Sequence, residues 1–171
     1  MLSVRPFRQD IAYCGPASLK AVLRYYGIRK TERDLATLTK ASKKSGTKGE
    51  NMVKAAKELG LDATLMDDAE ISDIRYWVRE KEVPVIVDWW SEEEGHYSIV
   101  VWINAENIYL MDPEWGQTRA LRISTFKRNW FDFSGNYLKK NSDLKLRRMI
   151  VIRPHPIIKK KSIRKRKTKK K

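Results

Sequence analysis

Apolar positions in the first eighty residues recur at helical spacing. Leu19, Val22, Leu23 and Tyr26 share one face of a 3.6-residue period. Pro16 suits a first helical turn, where its missing N–H is not needed, and Gly27 closes the segment. The spacing therefore predicts a helix opening at Cys14-Gly15-Pro16-Ala17-Ser18. A second short helix is expected from Thr31 to Leu38, with Glu32 and Asp34 in its first turn. The polar stretch from Ala41 to Gly49 reads as a loop. A third helix is expected from Glu50 to Leu59, with Met52, Val53, Ala56 and Leu59 inward and Gly60 as its stop. Residues 61–66 read as a short strand, and Ile71, Ile74, Trp77 and Val78 mark a fourth helix.

The second half changes period. Strands are expected at Val83 to Trp89, Tyr97 to Ile103, Ile108 to Met111 and Thr118 to Ile123. Ser124 to Trp130 reads as a turn or two of helix, and the alternation from Leu144 to Ile152 as a last strand. Pro154-His155-Pro156 ends the pattern. Helices followed by antiparallel strands predict an α+β fold. At 171 residues the chain is expected to hold one domain, residues 1–153, followed by a tail, residues 154–171.

Charge sharpens that division. Lys and Arg number 36 against 21 Asp and Glu, a net charge of +15. Ten of the basic residues lie in residues 159–171, which contain no acid, and the remaining residues carry a balance of only +5. The tail reads as disordered, able to meet nucleic acid or an anionic surface. It has no aromatic side chain to stack on bases. Cys14 is the only cysteine, so an internal disulfide and a Cys-rich metal site are excluded. Neither His96 nor His155, the only histidines, has metal-ligand spacing. No apolar run approaches the 18 residues of a membrane helix, and residues 1–10 lack the apolar core of a secretory signal. A cytoplasmic monomer is expected.

The candidate chemistry centres on Cys14. A cysteine at a helix N-terminus meets outward-pointing backbone N–H groups, whose field favours the nucleophilic thiolate. The same groups can stabilise an oxyanion, and Gln9 just upstream offers a neutral amide for that purpose. A thiolate nucleophile needs a general base. His155 lies between two prolines beside the basic tail and reads as a linker residue. His96 begins the apolar strand Tyr97-Ser98-Ile99-Val100-Val101. The next hairpin turns near residue 105, so positions summing to about 210 should face each other. His96 then lies almost opposite Asp112, across strands about 4.8 Å apart. Such a carboxylate fixes the imidazole tautomer and steadies the imidazolium. Asp88 and the glutamates Glu92, Glu93 and Glu94 are weaker alternatives. Of the six tryptophans, Trp77, Trp102 and Trp130 are expected in the core, and either Trp89 or Trp90 could line a cleft near His96.

These residues resemble a known family. Gln9 with Tyr13-Cys14-Gly15-Pro16-Ala17-Ser18-Leu19 through Tyr26-Gly27 is similar to the nucleophile motif of the bacteriocin-processing, double-glycine leader peptidases (C39-like). The resemblance continues through Gly46-Thr47, Ala55-Ala56-Lys57-Glu58-Leu59-Gly60-Leu61 and Val83-Pro84-Val85-Ile86-Val87. It extends through Gly95-His96-Tyr97-Ser98-Ile99-Val100-Val101, Tyr109-Leu110-Met111-Asp112-Pro113 with Gly116, and Phe126 with Trp130. It implies a papain-like fold, a helical half packed on a twisted antiparallel sheet. It also implies a cysteine peptidase: Cys14 as nucleophile, His96 as base and acid, Asp112 orienting His96, and Gln9 donating to the oxyanion, with no metal or cofactor. Gln9 precedes Cys14 by five positions, where the family usually has six. The best-known members are domains of membrane ABC exporters that cut after Gly-Gly, and this chain has neither membrane helices nor a P-loop, so that specificity does not transfer. Two further readings stay open. Ala12-Tyr13-Cys14-Gly15 also resembles phytochelatin synthases, which implies an acyl or γ-glutamyl transpeptidase. A catalytically inactive peptide-binding module is the other.

Overall fold

A computed structural model describes residues 1–155 other than 11, 93, 134 and 136. The basic stretch of residues 159–171 lies outside the described residues. Three helices come first: α1 (Cys14–Tyr25), α2 (Glu32–Leu38) and α3 (Gly49–Glu58). Each follows its expected apolar spacing. Thr31 caps α2 by accepting from the Asp34 N–H, while the Asp34 carboxylate accepts from the Thr31 N–H. Strand β1 (Leu61–Met66) leads to α4 (Ile71–Arg75), whose last turn widens into a π-helical stretch, Tyr76–Glu80. Then come β2 (Val85–Ser91), β3 (Glu94–Ile103), β4 (Asn107–Asp112), β5 (Gln117–Arg122) and α5 (Ile123–Asn129). Short β6 (Phe131–Asp132), β7 (Lys145–Leu146) and the longer β8 (Met149–Pro154) complete the fold.

Six strands form one antiparallel sheet in the order β1-β8-β2-β3-β4-β5, and β6 pairs with β7 separately. The single last strand expected from Leu144 to Ile152 is thus two strands. The alternation of charged and apolar residues ends at Arg148, and Arg147 adopts φ +47, which turns the chain between them. Beyond the turn, Met149, Ile150, Val151 and Ile152 are all buried. A strand apolar on both faces belongs inside a sheet, and β8 lies between β1 and β2. The strand also runs one residue past the expected domain end, through Pro154.

Alternation along the strands splits the core in two. Tyr97, Ile99, Val101, Ile150 and Ile152 pack with Leu19, Val22, Leu23, Met52 and Ala56 of α1 and α3. Val85, Val87, Trp89, Val100, Met149 and Val151 pack with Ile74, Phe126 and Trp130 on the other side. Of the three tryptophans expected in the core, Trp130 is fully buried, while Trp77 and Trp102 are only half-buried. The expected hairpin register holds: Ile99 faces Met111 and Val100 faces Leu110, before a bulge shifts the pairing by one at Trp102 and Tyr109.

One carboxyl is buried against its chemistry. Asp88 is 2% exposed and its Oδ2 has no hydrogen-bond partner among the described residues. Burial, reinforced by the charge of Asp132, pushes it up to about 7, with Lys145, Tyr97 and Arg148 pulling the other way. A carboxyl raised in the folded state holds its proton there after the unfolded chain has released it. The stability tied to that proton is complete below the ordinary carboxyl range and is lost as pH rises through about 7. Asp88→Asn should therefore raise the melting temperature relative to wild type more at pH 8 than at pH 4. Thermal unfolding at the two pH values measures this, and an equal difference at both would show that Asp88 does not hold its proton.

Candidate active site

Cys14 is the first residue of α1, and no side chain caps the helix above it. No acidic residue sits in the first turn, so nothing offsets the positive end of the helix there. Pro16 and Gly15 are both buried. Gly15 is glycine because Thr47 lies against it: an added Cβ would meet the Thr47 Cβ at 2.7 Å. The approach to the helix is constrained as well. The Tyr13 N–H donates to the Asp10 carbonyl at 3.1 Å, and Ala12 adopts φ +65. A left-handed alanine costs about 1 kcal/mol or more and persists only where the surroundings impose it.

Helix α1 meets the sheet through Ser18, whose Oγ donates to the Tyr97 carbonyl at 3.2 Å. Tyr97 follows His96, and the Cys14 thiol lies close enough to the His96 imidazole to help raise it. The other side of the ring is held by Asp112, with 2.7 Å between His96 Nε2 and Asp112 Oδ1. That leaves Nδ1 to the thiol. Carrying the register of Ile99 and Met111 along the strands puts Asp112 opposite Ser98 and diagonal to His96, on the same face. His96 is 3% exposed and Asp112 is fully buried. Trp89, opposite His96 in β2, packs edge-on against the imidazole at 6.4 Å between centroids and donates from Nε1 to the Ser98 hydroxyl. Trp89, rather than Trp90, is the tryptophan at His96.

The electrostatics follow from these contacts. Burial alone would push His96 down, but the hydrogen bonds to Asp112 and Cys14 and their charges outweigh it, and the imidazole is raised to about 10. Burial pushes the Asp112 carboxyl up, and the His96 hydrogen bond and charge overcome that, helped by the Glu114 N–H and by Arg119, so it stays below the ordinary value. Arg119 Nη1 donates to Asp112 Oδ2 at 3.0 Å and the Glu114 N–H to Oδ1 at 3.1 Å. Arg119 is the side chain of this candidate site that sequence reasoning missed. The signal was present: β4 and β5 pair Leu110 with Arg119, so Arg119 lies diagonal to Asp112 on the same face.

Gln9 is placed by its backbone, whose N–H donates to the Pro113 carbonyl at 2.7 Å, next to Asp112. Its side-chain Oε1 is buried without a partner among the described residues. His155 is exposed after β8, far along the chain from these elements, as expected of a linker. Asp88 alternates with Trp89 and lies on the opposite face of β2, away from His96. His96, Asp112 and Glu114 bring potential ligand atoms within 4.8 Å of one another. Two of those atoms already share the 2.7 Å hydrogen bond, so the group is a hydrogen-bonded pair with an acidic neighbour. A nucleophile, a proton carrier and an orienting carboxylate in sequence can carry out acyl transfer.

Comparison with known proteins bears on the family and the fold. The chain is 34% identical over 132 residues to an uncharacterized protein of Methanothermobacter marburgensis, covering 77% of this chain and 84% of that one. Its fold matches the peptidase domain of Streptococcus ComA, a bi-functional ABC transporter involved in quorum sensing, with TM-score 0.68 and 22% identity over 89% and 99% of the two chains. It also matches a double glycine motif protease from an AMS/PCAT transporter in complex with its leader peptide, with TM-score 0.64 and 21% identity over 87% and 89%. No helix among the described residues is long and apolar enough to cross a membrane. The family model of the peptidase C39 family matches residues 7–138, and this chain belongs to that family.

Proposed function

We propose that the protein is a cysteine peptidase that cuts a peptide bond through a Cys14 thioester. The observation that carries the reading is Cys14 at the head of α1, close to an imidazole that Asp112 holds at 2.7 Å. The leader peptide bound to the similar PCAT protease supports a peptide as the substrate class. His96 is held protonated well above neutrality, so an imidazolium stands beside the Cys14 sulfur, the nucleophile of this reading. The sulfur attacks the peptide carbonyl carbon and negative charge moves onto the carbonyl oxygen. The backbone N–H groups at the start of α1 and the Gln9 amide are the donors for that oxygen. As the C–N bond breaks, His96 gives its proton to the leaving amine. Water then attacks the thioester, His96 takes the water proton, and the thiolate leaves with release of the carboxylic acid. Replacing water by an amine would give transpeptidation through the same thioester, and no observation favours it. A cytoplasmic, monomeric protein remains part of this reading.

The reading needs no substrate for its first test, because Cys14 is the only thiol. Iodoacetamide should label wild type quickly at pH 6, and His96→Ala should slow the labelling sharply; slow labelling in both would exclude an activated pair. Cys14→Ala should abolish peptide turnover, a loss of about 10⁶-fold, whereas Asp112→Asn should cost roughly 10⁴-fold, as for orienting carboxylates in related triads. Full activity in Cys14→Ala would remove the mechanism.

The state of His96 gives a second test. A raised imidazole keeps its charge, and the stability that comes with it, at all pH values below its ordinary range, and loses both as pH rises through about 10. An NMR titration of the His96 ring should show the proton retained to about pH 10 in wild type and released at lower pH in Asp112→Asn. Identical titration in the two proteins would mean that Asp112 does not hold the imidazolium.

A further inference from the structure

The face of the sheet that carries His96 continues past it into an acidic cavity. Alternation puts Ser91 on the face of Trp89, and Glu94 on the face of His96. Ser91, Glu92, Glu94 and Glu114 line a cavity of about 460 Å³ there, inside the range of roughly 300–1,000 Å³ typical of ligand sites. Glu114 joins this cavity to the reacting groups, since its carboxylate lies within 4.8 Å of ligand atoms of both His96 and Asp112. None of the three glutamates pairs with a cation among the described residues; the guanidinium of Arg119 is engaged with Asp112. Ser91 is the second sign of a ligand. It is 3% exposed, lines the same cavity, and its Oγ has no partner among the described residues. A buried hydroxyl without a partner is costly, and a polar group brought to this wall of the cavity would offset that cost.

We propose that this cavity is a subsite for a lysine or arginine side chain of the substrate, on the leaving side of the cleaved bond; the inference rests on the peptidase reading above. The side follows from the chemistry. His96 hands its proton to the leaving amine, so the leaving segment runs over His96, and the cavity begins on the Asp112 side of that ring. The class of side chain follows from charge. Three carboxylates stand together on a domain whose balance is otherwise positive. Among the described residues they do not converge within 4.8 Å of one another as ligands for a metal ion would, and charge spread in this way suits the guanidinium fork of an arginine or the mobile ammonium of a lysine. Ser91 Oγ accepts a further N–H from the same group.

The test uses the full chain and synthetic peptide sets with Lys, norleucine or Glu fixed at each of the first three positions after the variable bond. Wild type should cut Lys peptides about fivefold faster than norleucine peptides, the effect of two unit charges roughly 8 Å away in a water-like medium. The preference should fall toward one in Glu92→Gln/Glu94→Gln. Equal cutting of the three sets, or a preference that survives in the double variant, would overturn the proposal. Should no peptide be cut, labelling of Cys14 decides. An iodoacetamide bearing an aminopropyl arm is compared with its butyl isostere, as a rate ratio in each protein. The ratio should fall about fivefold from wild type to the double variant at low salt, and an unchanged ratio would overturn the subsite. Failure of the peptidase reading looks different: the parent iodoacetamide then labels wild type and His96→Ala equally slowly.

Discussion

Everything at the site depends on one junction, the end of α1 pinned against the β3–β4 hairpin. The thiol belongs to a helix and the imidazole to a strand, and neither element alone brings them together. Ser18 fixes the distance by donating to the Tyr97 carbonyl, one residue from His96. Leu19, Val22 and Leu23 then bury the next turns against Ile99 and Val101 of the same strand. Burying each such side chain contributes about 1.5–3 kcal/mol, so the hydrophobic face of α1 holds the helix while one hydrogen bond sets its position along the strand.

The irregular segment before α1 makes that junction rigid. The described residues before Cys14 form no regular element, yet they are tied down at several points. The Leu2 N–H donates to the Val101 carbonyl, the Gln9 N–H to the Pro113 carbonyl and the Asp10 N–H to Glu32. These bonds link β3, the end of β4 and α2 to the residues just before Cys14. The left-handed Ala12 follows from this arrangement: the chain must turn sharply between the tie at Asp10 and the helix start at Cys14. Gly116 tells the same story from the other side. Its φ is +66, and Arg8 packs within 3.2 Å of where its side chain would be, so the turn after Asp112 closes directly onto the incoming segment.

How much of this was legible in the sequence depends on the range of the interaction. Local signals were sufficient for α1, α3 and the β3–β4 hairpin. Counting about a turn near residue 105 placed Asp112 beside His96, because antiparallel register follows from the position of the turn. The same counting about residues 113–116 would have found Arg119. Long-range facts were not legible. Nothing near Met149 says that β8 inserts between β1 and β2; only its burial on both faces hints at an interior strand. The break at Arg147 was hidden because a left-handed arginine has no sequence signature, and the π-helical stretch after α4 keeps the same apolar face as a regular helix. Gln9 was legible from its place just before Cys14 and from the resemblance, but its tie to Pro113 joins residues about a hundred positions apart.

Arg119 adds to what keeps Asp112 charged beside the imidazole. Burial pushes the Asp112 carboxyl toward its neutral form, and the His96 hydrogen bond and charge are the larger forces against that. A neutral Asp112 could no longer steady the imidazolium. The guanidinium on Oδ2 and the Glu114 backbone N–H on Oδ1 oppose this, leaving the carboxylate charged and both of its oxygens engaged. Arg119 is itself only partly buried and lies over the exposed Trp115, so it pays little in lost hydration. The charges therefore run arginine, aspartate, histidine, each next to its opposite, with the Cys14 sulfur at the end of the line. The surplus of negative charge falls outside that line, on Glu92, Glu94 and Glu114, at the place where a cationic side chain of the leaving segment would complete it.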